Sequence, residues 1–431
     1  MLVPFFIVIV ISLMASVLAK RRGKEYFLAG RSIRWPMLFG TLLGTQLGGG
    51  FIIGNSDSVW RIGVSGGLYG IGLALGMIIL GCGFGQRLRK AEVGTLSELL
   101  GQQYGSSRLQ VMSGILSVLS LGGILMSLAI GLKRFLLSMG YSSEWIYLLS
   151  WSGVILYTAY GGLLAVVWTD LIQSIVMIII LVITFGTVFW PRWPEIASRA
   201  YELGFPVDGS IVATLLIPLA FIFVEQDMAQ RCFAARGPRD IRNGFMLASI
   251  LLIVLSAVPI ACGLLGKEFS IENGSIFMQV LQKYAHPAIG IAAATAVLVA
   301  IISTASSVLL AASSNVAKDL MKGGGQIVTL CIGAIALLGP YLSDDVISSM
   351  VASYEICVGA LFVPIIMAVC SKTKLPQSAA WWAASLGIMG LILSKQIDHV
   401  WCVAIPFVTS YIGFGIGWKR ARFLTVVREG N

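Results

Sequence analysis

Charged residues are scarce in this chain of 431 residues. Asp, Glu, Lys and Arg together make up 12% of the sequence, there are two histidines, and 57% of the residues are hydrophobic. A soluble domain carries roughly twice that share of charge, because its surface must be solvated by water. The composition therefore excludes an ordinary soluble fold and indicates a protein solvated mainly by lipid.

Segments that alternate apolar and polar residues, as membrane-spanning strands do, are also lacking. The apolar residues instead form runs of about 20, the length that a helix needs to cross the hydrocarbon core of a bilayer. We predict an all-α polytopic membrane protein with 13 transmembrane helices, at residues 2–19, 35–55, 64–86, 109–132, 145–160, 163–190, 210–225, 243–265, 287–317, 326–342, 346–370, 378–394 and 399–418.

Lys and Arg residues are placed unevenly along these predicted spans. With the N-terminus outside, 22 of the 30 fall in cytoplasmic segments, Arg231 among them. Because positively charged loops are retained in the cytoplasm, we predict an inner-membrane protein with an external N-terminus and a cytoplasmic C-terminus. The positive charge then complements anionic lipid headgroups, so the lipid bilayer is an expected partner and nucleic acid is not.

Clusters of metal-binding or catalytic side chains are missing as well. The seven cysteines are scattered without the paired spacing of a metal site. No nucleophile, base and orienting group come together in the sequence. We therefore expect neither an enzyme nor a resident cofactor.

The second predicted span contains an unusual concentration of glycine. Gly44 is followed by Gln46, Leu47 and the triplet that ends at Gly50. Glycine disfavours a continuous helix, and irregular backbone inside a membrane is tolerated only where it faces protein or a water-filled cavity. Close packing of helices through small residues is the alternative interpretation. Gln46 favours an unwound segment beside a cavity.

A stripe of small and hydroxyl-bearing residues follows one face of the ninth predicted span. Its members recur at helical spacing: Ala300, Ser303, Thr304, Ser307, Ala311 and Ser314. Hydroxyl groups and the carbonyl oxygens freed by unwinding are ligands that a hard cation such as sodium prefers. Serine and threonine also bond to their own helix, so simple helix packing is the alternative.

Proline in the seventh predicted span marks a possible second break. Pro218 lacks a backbone donor and clashes with the turn before it. Paired breaks in two corresponding halves are the usual sign of a central transport site. Spans two and seven are five apart, which predicts two inverted repeats of five helices.

Three acidic residues lie within or near apolar spans. Glu355 stands about nine residues into its span, where an unpaired carboxylate is costly. It is either a site for substrate or protons, or a structural hydrogen-bonding group. Asp170 and Glu225 lie nearer predicted cytoplasmic ends, where hydration or helix capping is easier, and we expect structural roles for them.

Four stretches of this sequence resemble the sodium:solute symporter family. They are EYFLAGRS at 25–32, YTAYGGLLAVVWTDLIQ at 157–173, EQDMAQRCFAAR at 225–236, and STASSVLLAASSNVAKDL at 303–320. The resemblance implies a leucine-transporter-like fold of five plus five inverted helices preceded by one extra helix. On this basis we predict a single domain at 1–431, divided into 1–24, 33–190, 206–371 and 377–431.

The resemblance also implies a sodium site. Carried onto the matching positions, the ligands are the carbonyls of three residues and the hydroxyls of two: Gly44, Leu47, Ala300, Ser303 and Thr304. The sequence departs from the family at Gln46, where a proline-transporting branch has an acidic residue. The triple glycine likewise replaces residues with which other branches touch substrate.

The expected function is sodium-coupled symport of a small organic solute by alternating access. The substrate would lie beside the glycine-rich break, lined by Gln46, Gly50, Phe51, Phe221 and Glu355. Sodium is the coupling ion, and a monomer or weak homo-oligomer is expected. Two alternatives stay open: proton coupling through Glu355 on the same fold, and a membrane sensor that binds solute without moving it.

Overall fold

A computed structural model of the protein describes residues 2–21, 25–203, 209–271, 275–342, 346–397 and 400–429. Within these ranges the secondary structure is helical, and no β-strand is present apart from one isolated bridge between Ile33 and Ala235. The all-α fold class is confirmed.

The described residues up to Val224 contain ten α-helices. They are α1 (Leu2–Arg21), α2 (Trp35–Gln46), α3 (Asn55–Ile62), α4 (Leu68–Ile79), α5 (Gly85–Lys90), α6 (Leu96–Tyr104), α7 (Ser107–Ser138), α8 (Glu144–Thr184), α9 (Trp193–Leu203) and α10 (Gly209–Val224). Another ten follow within the described ranges: α11 (Gln226–Ala234), α12 (Pro238–Leu255), α13 (Ala257–Leu265), α14 (Ile276–Tyr284), α15 (Pro287–Asn315), α16 (Gly325–Leu337), α17 (Gly339–Leu342), α18 (Val346–Cys370), α19 (Gln377–Ser394) and α20 (Ile405–Glu429).

Among the residues that the structure describes, six helical stretches are long and apolar enough to cross a membrane. They are Gly50–Lys90, Ser107–Ser138, Glu144–Glu202, Pro238–Glu268, Pro287–Leu320 and Gly325–Leu342. The bent pair Ile211–Val224 and Gln226–Ala234 makes a seventh if it is counted as one span. By this measure the predicted count of 13 is not confirmed, because breaks and kinks leave several apolar helices short.

A kink at Gly162 divides the long helix α8. Its φ of 61° and ψ of −160° are open to glycine but strained for other residues. A Cβ atom at this position would lie 2.6 Å from the carbonyl oxygen of Tyr26. The kink therefore leaves room for the segment at 25–32, the first of the four stretches that resemble the symporter family. The Tyr26 carbonyl of this segment accepts a hydrogen bond from the Leu163 amide at 2.8 Å.

The first glycine-rich segment interrupts its helix as the sequence predicts. Helix α2 ends at Gln46, Leu47 has a ψ of 25°, and a wide helical turn at Gly50–Gly54 leads into α3. The second break lies elsewhere than predicted. Pro218 is buried inside α10, and the helix opens seven residues later at Glu225, which has a ψ of 115°. A helix continues past a proline when its neighbours satisfy the freed carbonyl, so composition alone misplaced this break.

Helix α15 runs through the centre of the fold. Side chains from Ala293 to Asn315 are buried apart from Thr304, which is partly buried. Helices α7 and α8 pack along it, and α2 and α11 also contact it. On the other side of the two breaks, α10 packs against α4 and α18. Both breaks therefore face the interior of the protein.

Candidate functional site

The end of α2 meets the hydroxyl stripe of α15. The Thr304 hydroxyl lies 3.0 Å from two carbonyl oxygens, those of Thr45 on α2 and Ala300 on its own helix. Glycine makes this approach possible. A Cβ at Gly44 would lie 2.8 Å from the Ser303 Oγ, and a Cβ at Gly48 would overlap the Thr304 Oγ1. Close helix packing and a cluster of oxygen atoms, which were alternative interpretations of the sequence, therefore occur together at this contact.

Four of the five predicted sodium ligands are in this contact: Gly44, Ala300, Ser303 and Thr304. The fifth, Leu47, caps the end of α2 two residues beyond Thr45 and is fully buried. The Ser303 hydroxyl donates a hydrogen bond to the Asp170 carboxylate at 2.5 Å. A hydroxyl that donates in this way keeps its lone pairs for a cation. The oxygen chemistry of the cluster therefore fits a hard monovalent cation.

Asp170 anchors the cluster from α8. Its carboxylate accepts hydrogen bonds from Thr41 at 2.6 Å, from Ser303 at 2.5 Å and from Ser307 at 3.2 Å. The side chain exposes no surface. The sequence prediction that hydration would be easy here is wrong, because three helices enclose the carboxylate.

Arg231 on α11 completes the cluster. Its guanidinium is fully buried, with Nη2 3.6 Å from the Asp170 carboxylate and Nη1 3.7 Å from that of Asp227. It also donates hydrogen bonds to the hydroxyls of Thr41, Thr45 and Ser307. The sequence analysis counts Arg231 with the positive charge of a cytoplasmic segment, whereas its side chain is enclosed by protein and cannot face lipid headgroups. The available signal was its position seven residues after Val224, where the apolar run of this span ends.

The substrate candidates from α2 and α10 lie around the two breaks. Gln46 is 8% exposed and forms a side-chain hydrogen bond with Glu225. Phe51 is buried against α4, where a Cβ at Gly70 would lie 2.6 Å from its ring. Phe221 stacks on Tyr354 of α18 with ring centroids 5.1 Å apart. Gly50 begins the wide turn after the break.

Glu355 points to a different partner. Its Oε2 lies 2.9 Å from the Nζ of Lys395 at the end of α19, so its charge is paired there.

Glu225 is the acidic side chain that reaches the break. It is 7% exposed, and its Oε2 has no hydrogen-bond partner among the described residues. Of the two reasons expected for Glu225, hydration is contradicted by its burial, and capping is met in position only, because Glu225 precedes α11 without a side-chain capping bond.

Known proteins share sequence with most of this chain. The sodium:solute symporter family model matches residues 26–191, which include α2, its break and the Asp170 region of α8. The sodium/proline symporter of Salmonella typhimurium is 24% identical over 463 residues, covering 97% of this chain and 91% of that protein. The resemblance to the sodium:solute symporter family is confirmed. The high-affinity proline transporter PutP of Bacillus subtilis is 25% identical and covers 94% of this chain and 93% of that protein.

Solved structures of transporters share the architecture of this chain. A Na+-coupled sialic acid symporter in a substrate-bound outward-open state superimposes with a TM-score of 0.77 at 18% identity, covering 96% of each chain. The nucleobase-cation-symport transporter Mhp1 in a closed conformation gives a TM-score of 0.59 at 15% identity, covering 94% of this chain and 95% of that one. At these identities the likeness establishes the leucine-transporter-like fold alone.

Proposed function

We propose that this protein is a secondary active transporter that couples the inward movement of sodium to that of a small organic solute by alternating access. One observation carries the proposal. The Ser303 and Thr304 hydroxyls of α15 meet the interrupted end of α2 beside a buried carboxylate, Asp170. Oxygen ligands, a broken helix and a negative charge in one place are what a sodium-coupled transporter requires.

We assign sodium to the carbonyls of Gly44, Leu47 and Ala300 and the hydroxyls of Ser303 and Thr304. A cation there is shared by α2 and α15, because each helix contributes ligands. Its binding would stabilise one packing of these helices over another, which is how a ligand shifts a conformational equilibrium. Gln46, Gly50, Phe51 and Phe221 would then line the solute site beside the same break, and Glu355 is ranked below them because of its pairing with Lys395.

The sodium gradient is sufficient to drive accumulation. One positive charge moving inward through about 100 mV contributes about 2.3 kcal/mol. A tenfold sodium gradient adds about 1.4 kcal/mol. Together these correspond to roughly several hundredfold accumulation of a neutral solute at one sodium per solute.

The proposed setting is the inner membrane, with the N-terminus outside and the C-terminus in the cytoplasm. We propose 13 spans rather than six or seven. The support is that each predicted span coincides with helix in the described residues. In this comparison α2 and α3 count as one broken span, α10 and α11 count as another, and α8 counts as two spans divided at Gly162. A monomer or weak homo-oligomer is the proposed assembly.

The decisive experiment is thermal unfolding of the purified protein as sodium chloride replaces potassium chloride at constant ionic strength. Sodium at about 100 times its Kd stabilises the protein by about 2.7 kcal/mol through mass action. We expect a saturable rise in Tm for the wild type and no rise for Thr304→Ala. Thr295→Ala is the matched control, because Thr295 lies on the same helix and bonds only to Ile291.

The outcomes separate sodium from its rivals. A sodium response in both wild type and Thr304→Ala would place the ion elsewhere. No sodium response, together with a Tm that depends on pH and loses this dependence in Glu355→Gln, would replace sodium by protons. Sodium and solute binding without uptake into sealed proteoliposomes would identify a sensor.

A further inference from the structure

We propose that the transported solute carries a protonated or quaternary amine, and that the Glu225 carboxylate binds this positive charge between the two helix breaks. The inference rests on the proposed function, because it names the chemistry of the solute for the same pathway. It assigns to Glu225 the specificity-determining contact that the sequence predicts at Glu355.

Glu225 stands at the residue where the second broken helix opens. Its ψ of 115° ends α10 and begins α11, and its N–H bonds back to the Phe221 carbonyl at 2.9 Å. The carboxyl group points to the first break, where it meets Gln46. The side chain is 93% buried and its Oε2 has no hydrogen-bond partner in the part of the chain that the structure describes. The acid is therefore held inside the protein with one oxygen free.

No side chain of the described protein supplies a matching positive charge. The nearest cation is Arg231, but its charge is divided between Asp170 at 3.6 Å and Asp227 at 3.7 Å. Its guanidinium also donates to three hydroxyls and to the Asp227 carbonyl. Glu225 forms no ion pair within the described residues, and its carboxyl group is hydrogen-bonded to that of Asp227, which requires a proton held between the two acids while no cation is bound. Two buried carboxyl groups in this setting need either a proton or a cation, and an ammonium group would take the place of the shared proton.

The other neighbours of Glu225 favour an organic cation. Tyr69 on α4 and Cys357 on α18 lie within electrostatic range of Glu225 and carry no charge. Beside them the rings of Phe221 and Tyr354 stack at 5.1 Å, tilted by 41°. Aromatic faces next to a carboxylate bind ammonium groups through the negative potential of the ring. A sodium ion would instead need several oxygen ligands, and the structure gathers those at Ser303 and Thr304.

The test uses purified full-length protein in saturating sodium chloride and pairs of probes that differ in charge but little in size. The amines are ethanolamine, putrescine and phenethylamine, and the matched alcohols are ethylene glycol, butanediol and phenylethanol. We expect at least one amine to raise the Tm saturably while its alcohol does not. In Glu225→Gln, which keeps the size of the side chain, that amine should bind about tenfold more weakly or worse, because the charged partner is gone.

Two comparisons make the result specific. Glu202→Gln carries the same change on an exposed side chain and should respond like the wild type. The sodium-dependent Tm rise should persist in Glu225→Gln, which shows that the variant is folded and that the sodium site is separate. A sodium response without any amine response would overturn this inference and leave the proposed function standing. Equal amine binding in wild type and Glu225→Gln, or loss of binding only in Glu355→Gln, would also overturn it.

Discussion

Arg231 lies 3.6 Å from Asp170, and neither side chain exposes any surface. The two residues come from α11 and α8, and the same hydroxyls, those of Thr41 and Ser307, bridge them. The pair therefore joins the second broken helix to the helix that supports the first. Because the carboxylate also accepts from Ser303, changes at the pair reach the proposed sodium site directly.

Removing the buried arginine should be severely destabilising. Arg231→Ala leaves Asp170 and Asp227 buried without their cation, and breaking a buried pair from one side costs about 3–5 kcal/mol. We expect a large fall in Tm or loss of folded protein in detergent. Arg239→Ala, at an exposed arginine of α12, is the control and should stay within about 0.5 kcal/mol of the wild type. Comparable stability of the two variants would contradict the assigned role of the pair.

Neutralising the carboxylate tests the link between the pair and sodium. Asp170→Asn keeps the size of the side chain but removes the charge beside Ser303. We expect the sodium-dependent Tm rise to be lost, because the cation then lacks its nearby negative charge. The measurement is the sodium titration in potassium chloride described above. A sodium affinity within about twofold of the wild type would show that Asp170 does not contribute to ion binding.

Glycine substitutions should separate close contact from flexibility. Gly48→Ala places a methyl group into the Thr304 hydroxyl, so α2 and α15 must separate and the sodium affinity should fall. Gly54→Ala meets no atom within 4 Å in the same segment and is the matched control. We expect the sodium-dependent rise in Tm to be lost in Gly48→Ala and to stay close to that of the wild type in Gly54→Ala. Equal loss in both would indicate that backbone freedom matters more than the contact.

Tyr26 should contribute stability through its hydroxyl group. The hydroxyl contacts the carbonyls of Thr158 and Ala159 at 3.2 and 3.1 Å and lies 3.1 Å from the Thr329 hydroxyl. Burial raises the pKa of Tyr26 to about 12, so the group stays protonated at neutral pH. Tyr26→Phe should lower the free energy of unfolding by about 1 kcal/mol. Because the folded pKa is above the unfolded value, this contribution is complete below about pH 10 and declines as the pH rises towards 12. A chemical denaturation series at neutral pH measures it.

The local features of the fold could be predicted from the sequence, but the pairings between distant segments could not. The glycines after Gly44 predicted an interrupted helix, and the spacing of Ser303 and Thr304 predicted one polar face of α15. Each of these signals is contained within a few neighbouring residues of the chain. The partners of Arg231 lie 61 residues away at Asp170 and as far as 190 residues away at Thr41, and periodicity carries no information on such contacts.

The misplaced second break has a related cause. Proline at 218 was the strongest local signal for an interruption, whereas the helix opens at Glu225, a residue with ordinary helix propensity. The opening is set by what surrounds Glu225: Gln46 from the other break on one side and the start of the Arg231 helix on the other. Tertiary contacts of this kind override local preference.

The guanidinium of Arg231 is a positive charge that cannot diffuse away. Any sodium ion that approaches Asp170 therefore meets a carboxylate already shared with a tethered competitor. The concentration at which sodium half-fills the site is then set by this internal competition as well as by the oxygen ligands. A small displacement of α11 relative to α8 would change the affinity for the ion without altering a single group that touches it.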